Sequence, residues 1–190
     1  MKTKLVAATT NAGKLKDLRA LLGDFEIVSA AEVGFVDDVE ETGTTFLENA
    51  LLKARTVCQA TGLPALADDS GLCVDALNGA PGVYSARYSG QGMVANRALL
   101  LANLQGQTNR KAHFHCAMAL VYPDGREYTA EGETHGTIAM TEQGDNGFGY
   151  DCLFLSDDLG KTFGMATHAE KNAVSHRGRA LKNLLAVLHN

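Results

Sequence analysis

Residues 65–88 read ALADDSGLCVDALNGAPGVYSARY, a short apolar run followed by carboxylates, a hydroxyl and glycines. The run Pro64 to Ala67 predicts a buried strand that ends at Asp68 and Asp69. Strand ends often carry chemistry, and two neighbouring carboxylates repel each other unless water or a cation offsets their charge. An oxygen-preferring cation such as Mg²⁺ would suit them. The alternative interpretation is an Asx-type turn with both carboxylates in water.

The 190 residues suffice for one domain with a substantial core. No apolar run approaches the roughly 20 residues of a membrane helix, and the N-terminus does not resemble a signal peptide, so we expect a cytoplasmic protein without membrane contact. The net charge of −5 argues against binding to a nucleic-acid backbone. Four scattered cysteines indicate reduced thiols rather than zinc ligands or disulfides: Cys58, Cys73, Cys116 and Cys152.

A polar loop, residues 9–14 (TTNAGK), lies between a predicted strand at Lys4 to Ala8 and a predicted helix at Lys14 to Leu22. The loop brings backbone N–H groups, hydroxyls, an amide and an ammonium to a helix N-terminus, which suits a phosphate. It lacks the spacing of a Walker A loop. An ordinary capped turn between strand and helix remains the alternative.

A longer helix is predicted to begin at the capping box formed by Thr45 and Glu48 and to stop at Gly62 and Pro64. Asn49 and Lys53 lie four residues apart and therefore share a face of this helix. The helix leads directly into the Asp68–Asp69 strand, so Lys53 can reach the same cleft. The acidic residues 37–43 before it are typical of a solvated loop.

The clearest strand pattern runs from Lys111 to Val121 and returns as a hairpin through the turn at residues 122–125. His113 and His115 point to one face of this strand, at a spacing that metal sites use. Without a third ligand nearby, ordinary strand histidines are the favoured interpretation.

The segment Gly144 to Leu155, GDNGFGYDCLFL, combines a glycine-rich loop with two aromatic side chains and a carboxylate. Phe148 and Tyr150 are candidates to stack on a flat ring whose edge Asp151 or the backbone would read. A glycine hairpin with core aromatics is the alternative.

The last helix is predicted to begin after Ser175, with His176 and Arg177 in its first turn. Cations there oppose the helix dipole, which is typical of a site that holds an anion. Alternating strands and helices, then a hairpin and more helices, predict a mixed α/β protein with a curved central sheet.

Five segments, in order over essentially the whole chain, resemble the inosine/xanthosine triphosphate pyrophosphatases. They are ATTNAGK (8–14), EETGTTFLENALLKAR (40–55), ADDSGLCVDALNGAPGVYSARYSG (67–90), GFGYDCLF (147–154) and EKNAVSHRGRAL (170–181). The resemblance implies one domain over residues 1–190 with two lobes, a long curved central sheet flanked by helices, and an active-site cleft between the lobes. It also implies a homodimer that uses Mg²⁺ to convert ITP, dITP or XTP to the monophosphate and pyrophosphate. This reaction removes deaminated purines from nucleotide pools.

The resemblance also implies roles for individual residues. The phosphates would be cradled by Thr9, Thr10, Asn11, Ala12, Gly13 and Lys14. Catalysis would involve Asp69 as the proton acceptor, with Asp68 beside it and Lys53 on the phosphate chain. Glu40 and Asp69 would hold Mg²⁺, although the sequence leaves open whether Glu40 or Glu41 points inward. The remaining substrate contacts would come from Ser70, Phe148, Gly149, Tyr150, Asp151, Lys171, His176 and Arg177.

The chain departs from the pattern of the family in residues 165–169, which are less acidic than usual, and at two single positions. Cys152 stands where a proline is frequent and Asn146 where a glycine is frequent, which puts the stiffness of the base loop in question. Two alternatives remain: a Maf-like pyrophosphatase of other base specificity, against which residues 175–177 argue, and a nucleotide sensor without catalysis.

Overall fold

The computed structural model describes residues 2–188, apart from the side chain of Leu21. Strands β1 to β6 span Thr3–Ala7, Phe25–Ser29, Ala65–Val74, Lys111–Val121, Glu127–Ile138 and Phe154–Ser156. Helices α1 to α5 span Ala12–Leu21, Phe46–Thr61, Met93–Asn103, His168–Val174 and His176–Leu188. Among these described residues, no helix is both long and apolar enough to cross a membrane.

The six strands form one mixed sheet in the order β2-β1-β3-β4-β5-β6. β1 runs parallel to both β2 and β3, whereas β5 and β6 are antiparallel. The predicted mixed α/β class, a central sheet flanked by helices, is therefore confirmed.

The chain divides into two compact units. Unit one comprises Met1–Asp69, Ala117–Glu131 and Leu181–Asn190, and unit two comprises Ser70–Cys116 and Gly132–Ala180. In unit one, small side chains of α2, among them Ala50 and Ala54, pack on Ala65 and Ala67 of β3. Small side chains on both surfaces let the helix approach the sheet closely, and this packing fixes the distance between α2 and β3.

The predicted start and stop of α2 are confirmed. Thr45 Oγ1 accepts a hydrogen bond from Glu48 N, and Glu48 Oε2 accepts one from Thr45 N. The helix ends at Gly62, whose φ of 66° is the left-handed conformation that glycine adopts without steric cost.

The core of unit two contains three phenylalanine rings in contact, those of Phe114, Phe154 and Phe163.

The predicted end of β3 is wrong. The strand does not stop at Ala67 but continues through Asp68 and Asp69 to Val74. An extended backbone turns successive side chains to opposite faces, so adjacent aspartates inside a strand need not face each other. The carboxylates therefore lie within the strand rather than on a loop that follows it.

Gly132 of β5 allows a close contact with the first turns of α5 in unit two. A Cβ atom at this position would lie 2.5 Å from the carbonyl oxygen of His176 and would overlap the backbone of Ala180. Backbone cannot move aside as a flexible side chain can, so only glycine fits here.

We expect Gly132→Ala to destabilise the protein by about 1–3 kcal/mol, because the added methyl group overpacks the contact with α5. Urea denaturation measures the change. The control is Gly23→Ala, since a Cβ at Gly23 would meet open space. Equal stability of the two variants would contradict the proposed packing.

Candidate active site

Asp68 and Asp69 point to opposite faces of β3 and meet different partners in unit one. Lys14 Nζ lies 2.9 Å from Asp68 Oδ2. On the other face, Asn49 donates to Asp69 Oδ2 at 3.0 Å, and Lys53 Nζ lies 3.8 Å from Asp69 Oδ1. Each carboxylate thus has its own ammonium group, which resolves the repulsion expected from adjacent aspartates.

Lys53 contacts three acidic residues of unit one, Glu41 and Asp69 through their carboxylates and Asp68 through its backbone. Its Nζ donates to Glu41 Oε1 at 2.6 Å and to the carbonyl oxygen of Asp68 at 2.9 Å. Burial lowers the pKa of Lys53, but the charges of Asp69, Glu41 and Asp68 outweigh burial and raise the pKa overall. The ammonium therefore stays charged beside the carboxylates.

The pKa of Asp69 is raised above its ordinary value. Burial is the largest cause and the charge of Glu41 adds to it, while Lys53, the Asn49 hydrogen bond and Lys14 act in the opposite direction. A carboxylate with a raised pKa binds a proton more readily than an exposed one does. Asp69 is therefore suited to accept a proton.

Asn49 was not among the predicted site residues. Its side chain is completely buried; its Oδ1 accepts from Gly43 N at 2.7 Å while its Nδ2 donates to Asp69. A Cβ atom at Gly43 would lie 2.6 Å from Asn49 Oδ1, so the loop needs glycine there. Its only signal in the sequence was an amide one helical turn before Lys53, which is weak because exposed amides are common.

The two glutamates before α2 differ in position. Glu41 is half-buried and contacts Lys53, whereas Glu40 is exposed. The structure thus brings Glu41, rather than Glu40, to the Lys53–Asp69 group. The assignment of Glu40 to a metal remains a prediction.

The predicted phosphate loop of unit one is held in shape by its own side chains. Asn11 caps α1, with Oδ1 accepting from Gly13 N at 2.9 Å and from Lys14 N at 3.1 Å. Thr9 Oγ1 accepts from Asn11 N at 3.1 Å. Four residues of this loop are exposed to solvent: Thr10, Asn11, Ala12 and Gly13. The loop is thus ordered yet open to an anion.

The predicted base loop in unit two is organised by Asp151. Its Oδ2 accepts from Phe148 N at 2.8 Å and pairs with Lys171 Nζ at 2.5 Å. The same ammonium lies over the Phe148 ring, 4.9 Å from its centroid. Phe148 is 42% exposed, so this residue combines a fixed backbone with an accessible side chain.

Tyr150 does not present its ring to solvent. The side chain is 5% exposed and belongs to the unit-two core, and its hydroxyl donates to the carbonyl oxygen of Ser85 at 2.7 Å. Burial raises the pKa of this hydroxyl. The prediction that the Tyr150 ring stacks on a base is therefore not supported, whereas the neighbouring Gly149 carbonyl is fixed by Arg97 at 3.2 Å.

His176 and Arg177 occupy the first turn of α5, as predicted, and are 6% and 4% exposed. Ser175 caps the helix by accepting a hydrogen bond from Gly178 N at 3.1 Å. The imidazole of His176 stacks on Phe114 with 4.8 Å between the ring centroids. Packing and capping thus fix this turn. The predicted substrate contact Ser70 lies half-buried in β3 of the same unit.

The unusual Asn146 anchors the base loop. Its backbone N–H donates to Gly164 O at 2.9 Å and its side-chain amide donates to Ala166 O at 3.1 Å. A glycine could not make the second bond, so Asn146 adds a constraint. Cys152 is half-buried, and burial is the main reason that its pKa is raised.

Comparison with known proteins shows close relatives over the whole length. A model of the Ham1 family matches residues 5–187. The dITP/XTP pyrophosphatases of Streptomyces avermitilis and Haemophilus influenzae are each 50% identical to the chain, covering 98% and 99% of it and 97% and 100% of their own lengths. The structure of the Staphylococcus aureus Ham1 protein is 40% identical with a TM-score of 0.90, and that of a HAM1 protein from Coxiella burnetii is 42% identical with a TM-score of 0.91. Each structural match covers 98% of both chains.

In the metal-free protein, we expect Asp69 to titrate above the usual pKa of an exposed aspartate, about 3.9. Asn49→Ala should raise this pKa further, because it removes a hydrogen bond to the ionised form. Carboxyl ¹³C NMR against pH measures both values. A lower pKa in the variant would refute the role of Asn49.

Tyr150→Phe should destabilise the protein by about 0.5–1.5 kcal/mol, the net value of a buried hydrogen bond. Asp24→Asn is the control, since that side chain is exposed. Thermal denaturation compares the two. Unchanged stability of Tyr150→Phe would show that the hydroxyl bond to Ser85 contributes nothing.

Proposed function

The chain belongs to the Ham1 family, and from this membership we propose that it hydrolyses ITP, dITP and XTP to the monophosphate and pyrophosphate. The proposal rests on one structural observation above all, the Asp69 carboxylate held between Asn49 and Lys53 with a raised pKa. Relatives that are half identical over nearly the full length carry the name dITP/XTP pyrophosphatase. The removal of deaminated purines from nucleotide pools is the corresponding role.

Unit one would take the triphosphate. The ordered loop at residues 9–14 has exposed residues at the start of α1. The ammonium groups of Lys14 and Lys53 are half-buried, and they pair with Asp68 and Glu41. A helix N-terminus and flanking cations are the usual means of binding phosphate oxygens. The loop supports the proposal because its own hydrogen bonds keep it ordered while most of its residues stay exposed to solvent.

Mg²⁺ is the cofactor that we propose. The carboxylates of Asp69 and Glu41 lie near the same Lys53 ammonium, and their negative charges are close enough to repel each other. A cation would relieve this repulsion, and carboxylate oxygens are the ligands that Mg²⁺ prefers. The residues thus fit the ion, with Asp69 and a glutamate of the 40–41 pair as its ligands. When bound, it would draw charge from the phosphate oxygens and lower the pKa of water.

Asp69 would act as the proton acceptor of the reaction. A water oxygen bonds to the α-phosphorus while the bond from that phosphorus to the bridging oxygen breaks, and the electron pair leaves with pyrophosphate. Asp69 receives the proton of the attacking water, for which a raised pKa suits it. The hydrogen bond from Asn49 keeps the carboxylate oriented, and the Lys53 ammonium would offset negative charge on the phosphate chain.

Unit two would take the purine base. The exposed ring of Phe148 can stack on the base, with Lys171 and Asp151 fixing the loop. We propose that Lys171, His176 and Arg177 supply donors to the 6-keto oxygen. A 6-amino group, as in ATP, would then place a donor against donors and lose affinity.

A cytoplasmic homodimer is the remaining part of the proposal. The four cysteines are all free, as expected in a reducing compartment. Unit two exposes the apolar side chains of Tyr84, Met93 and Val94, by 59%, 53% and 71%. Such side chains are frequent in subunit interfaces.

The deciding experiment measures pyrophosphate release from equal concentrations of ITP, XTP, ATP, GTP and dTTP, with Mg²⁺ and with a chelator. We expect preference for ITP and XTP and loss of turnover on chelation. Asp69→Asn should reduce the rate at least 100-fold, in the range of lost acid–base catalysis of about 10²–10⁴-fold. The surface variant Asp24→Asn serves as the control.

Other outcomes point elsewhere. Preference for a pyrimidine nucleotide would favour a Maf-like specificity. Tight nucleotide binding without turnover would favour a sensor. Full activity of Asp69→Asn would refute the role of this carboxylate.

A further inference from the structure

Four polar side chains lie on one face of the β4–β5 hairpin in unit two, and none of them was assigned above to nucleotide hydrolysis. They are His113, His115, Glu133 and His135. The two ends of the hairpin fix their register. Tyr122 N donates to Arg126 O at 2.9 Å beside the turn, and Ile138 N donates to Arg110 O at 2.9 Å at the open end. The same register places His115 opposite Glu133 and His113 opposite His135.

The side-chain contacts agree with this register. His115 Nδ1 lies 2.9 Å from Glu133 Oε1, and His135 Nε2 lies 3.4 Å from Glu133 Oε2. The rings of His113 and His135 are 5.5 Å apart between centroids. One nitrogen of each of His113 and His115 and one oxygen of Glu133 all lie within 4.8 Å of one another. Glu133 is thus a third group with a possible ligand atom near the two histidines, which the sequence did not place there.

The strand that carries Glu133 is held from behind. Its neighbours Gly132 and Thr134 are buried on the opposite face, where Gly132 lies against α5. Arg179 of α5 donates to the carbonyl oxygen of Glu133 at 2.9 Å. A site on paired strands with a fixed backbone needs only small side-chain rotations to close on an ion.

We propose that His113, His115 and Glu133 bind one divalent transition-metal ion, with Zn²⁺ as its representative. Two imidazoles and one carboxylate form an established ligand set for zinc, with a further position left for water or another ligand. Imidazole nitrogen selects such ions over Mg²⁺, which prefers oxygen. The three groups are half-buried, so an ion can enter from solvent. This site is independent of the proposed hydrolysis.

The test titrates Zn²⁺ into the full-length protein by calorimetry, after treatment with a chelator and in an excess of Mg²⁺. We expect one Zn²⁺ per chain at this site. The variant His113→Ala/His115→Ala should bind Zn²⁺ at least about 10–100-fold more weakly than the wild type. Loss of a residue that only orients a metal ligand already costs that much affinity, and this variant loses two ligands. Glu133→Gln should also bind more weakly, because its neutral amide is a poor ligand. The control His168→Ala removes an exposed histidine of α4 and should bind Zn²⁺ as before.

Two further measurements separate loss of ligands from loss of fold. Circular dichroism should be the same for all variants, and Co²⁺ should give visible absorption bands in the wild type that disappear in the double variant. If the double variant fails to fold, Glu133→Gln carries the comparison. Absence of Zn²⁺ binding by the wild type, or wild-type affinity in a folded variant that lacks these ligands, would overturn the proposal.

Discussion

The pairing of two adjacent carboxylates with two lysines, one on each side of β3, is the constraint on which unit one of the protein depends. Asp68 and Asp69 are 3% and 6% exposed, so either one without a counter-charge would be costly. Breaking a buried ion pair by removing one partner typically costs about 3–5 kcal/mol. The strand, the α1 loop that carries Lys14 and the helix α2 that carries Lys53 must therefore be in place together. The residues proposed for catalysis are the same residues that stabilise the strand.

Features that depend on a few neighbouring residues were predicted correctly from the sequence. The capping box of α2, its glycine end and the β4 strand from Lys111 to Val121 are set by local hydrogen bonds and side-chain alternation. The end of β3 was predicted wrongly. Two adjacent carboxylates in a sequence suggest that a buried strand has ended, unless the lysines that pair with them on both faces are known. Lys14 and Lys53 lie in segments distant in sequence from β3, and a single sequence does not show that they contact its aspartates.

The same limit explains the residues that were missed or misassigned. Asn49 is buried because Gly43 approaches it from a separate loop, and its own sequence surroundings suggest an ordinary helix surface. Tyr150 lies two residues after Phe148, yet its burial and the hydroxyl bond to Ser85 show that it belongs to the core. The third group near His113 and His115 lies on the returning strand and becomes visible only with the register.

The register of the β4–β5 hairpin also bears on how the chain folds. Its strands are joined by a short turn at residues 122–126, so their pairing closes a small loop at little entropic cost. By contrast, Val6 of β1 pairs with Ala65 of β3, a residue far away in the sequence. Contacts between residues close in sequence form sooner than such distant ones. The hairpin is therefore expected to order early and to offer a template on which β3, with its aspartates, adds later.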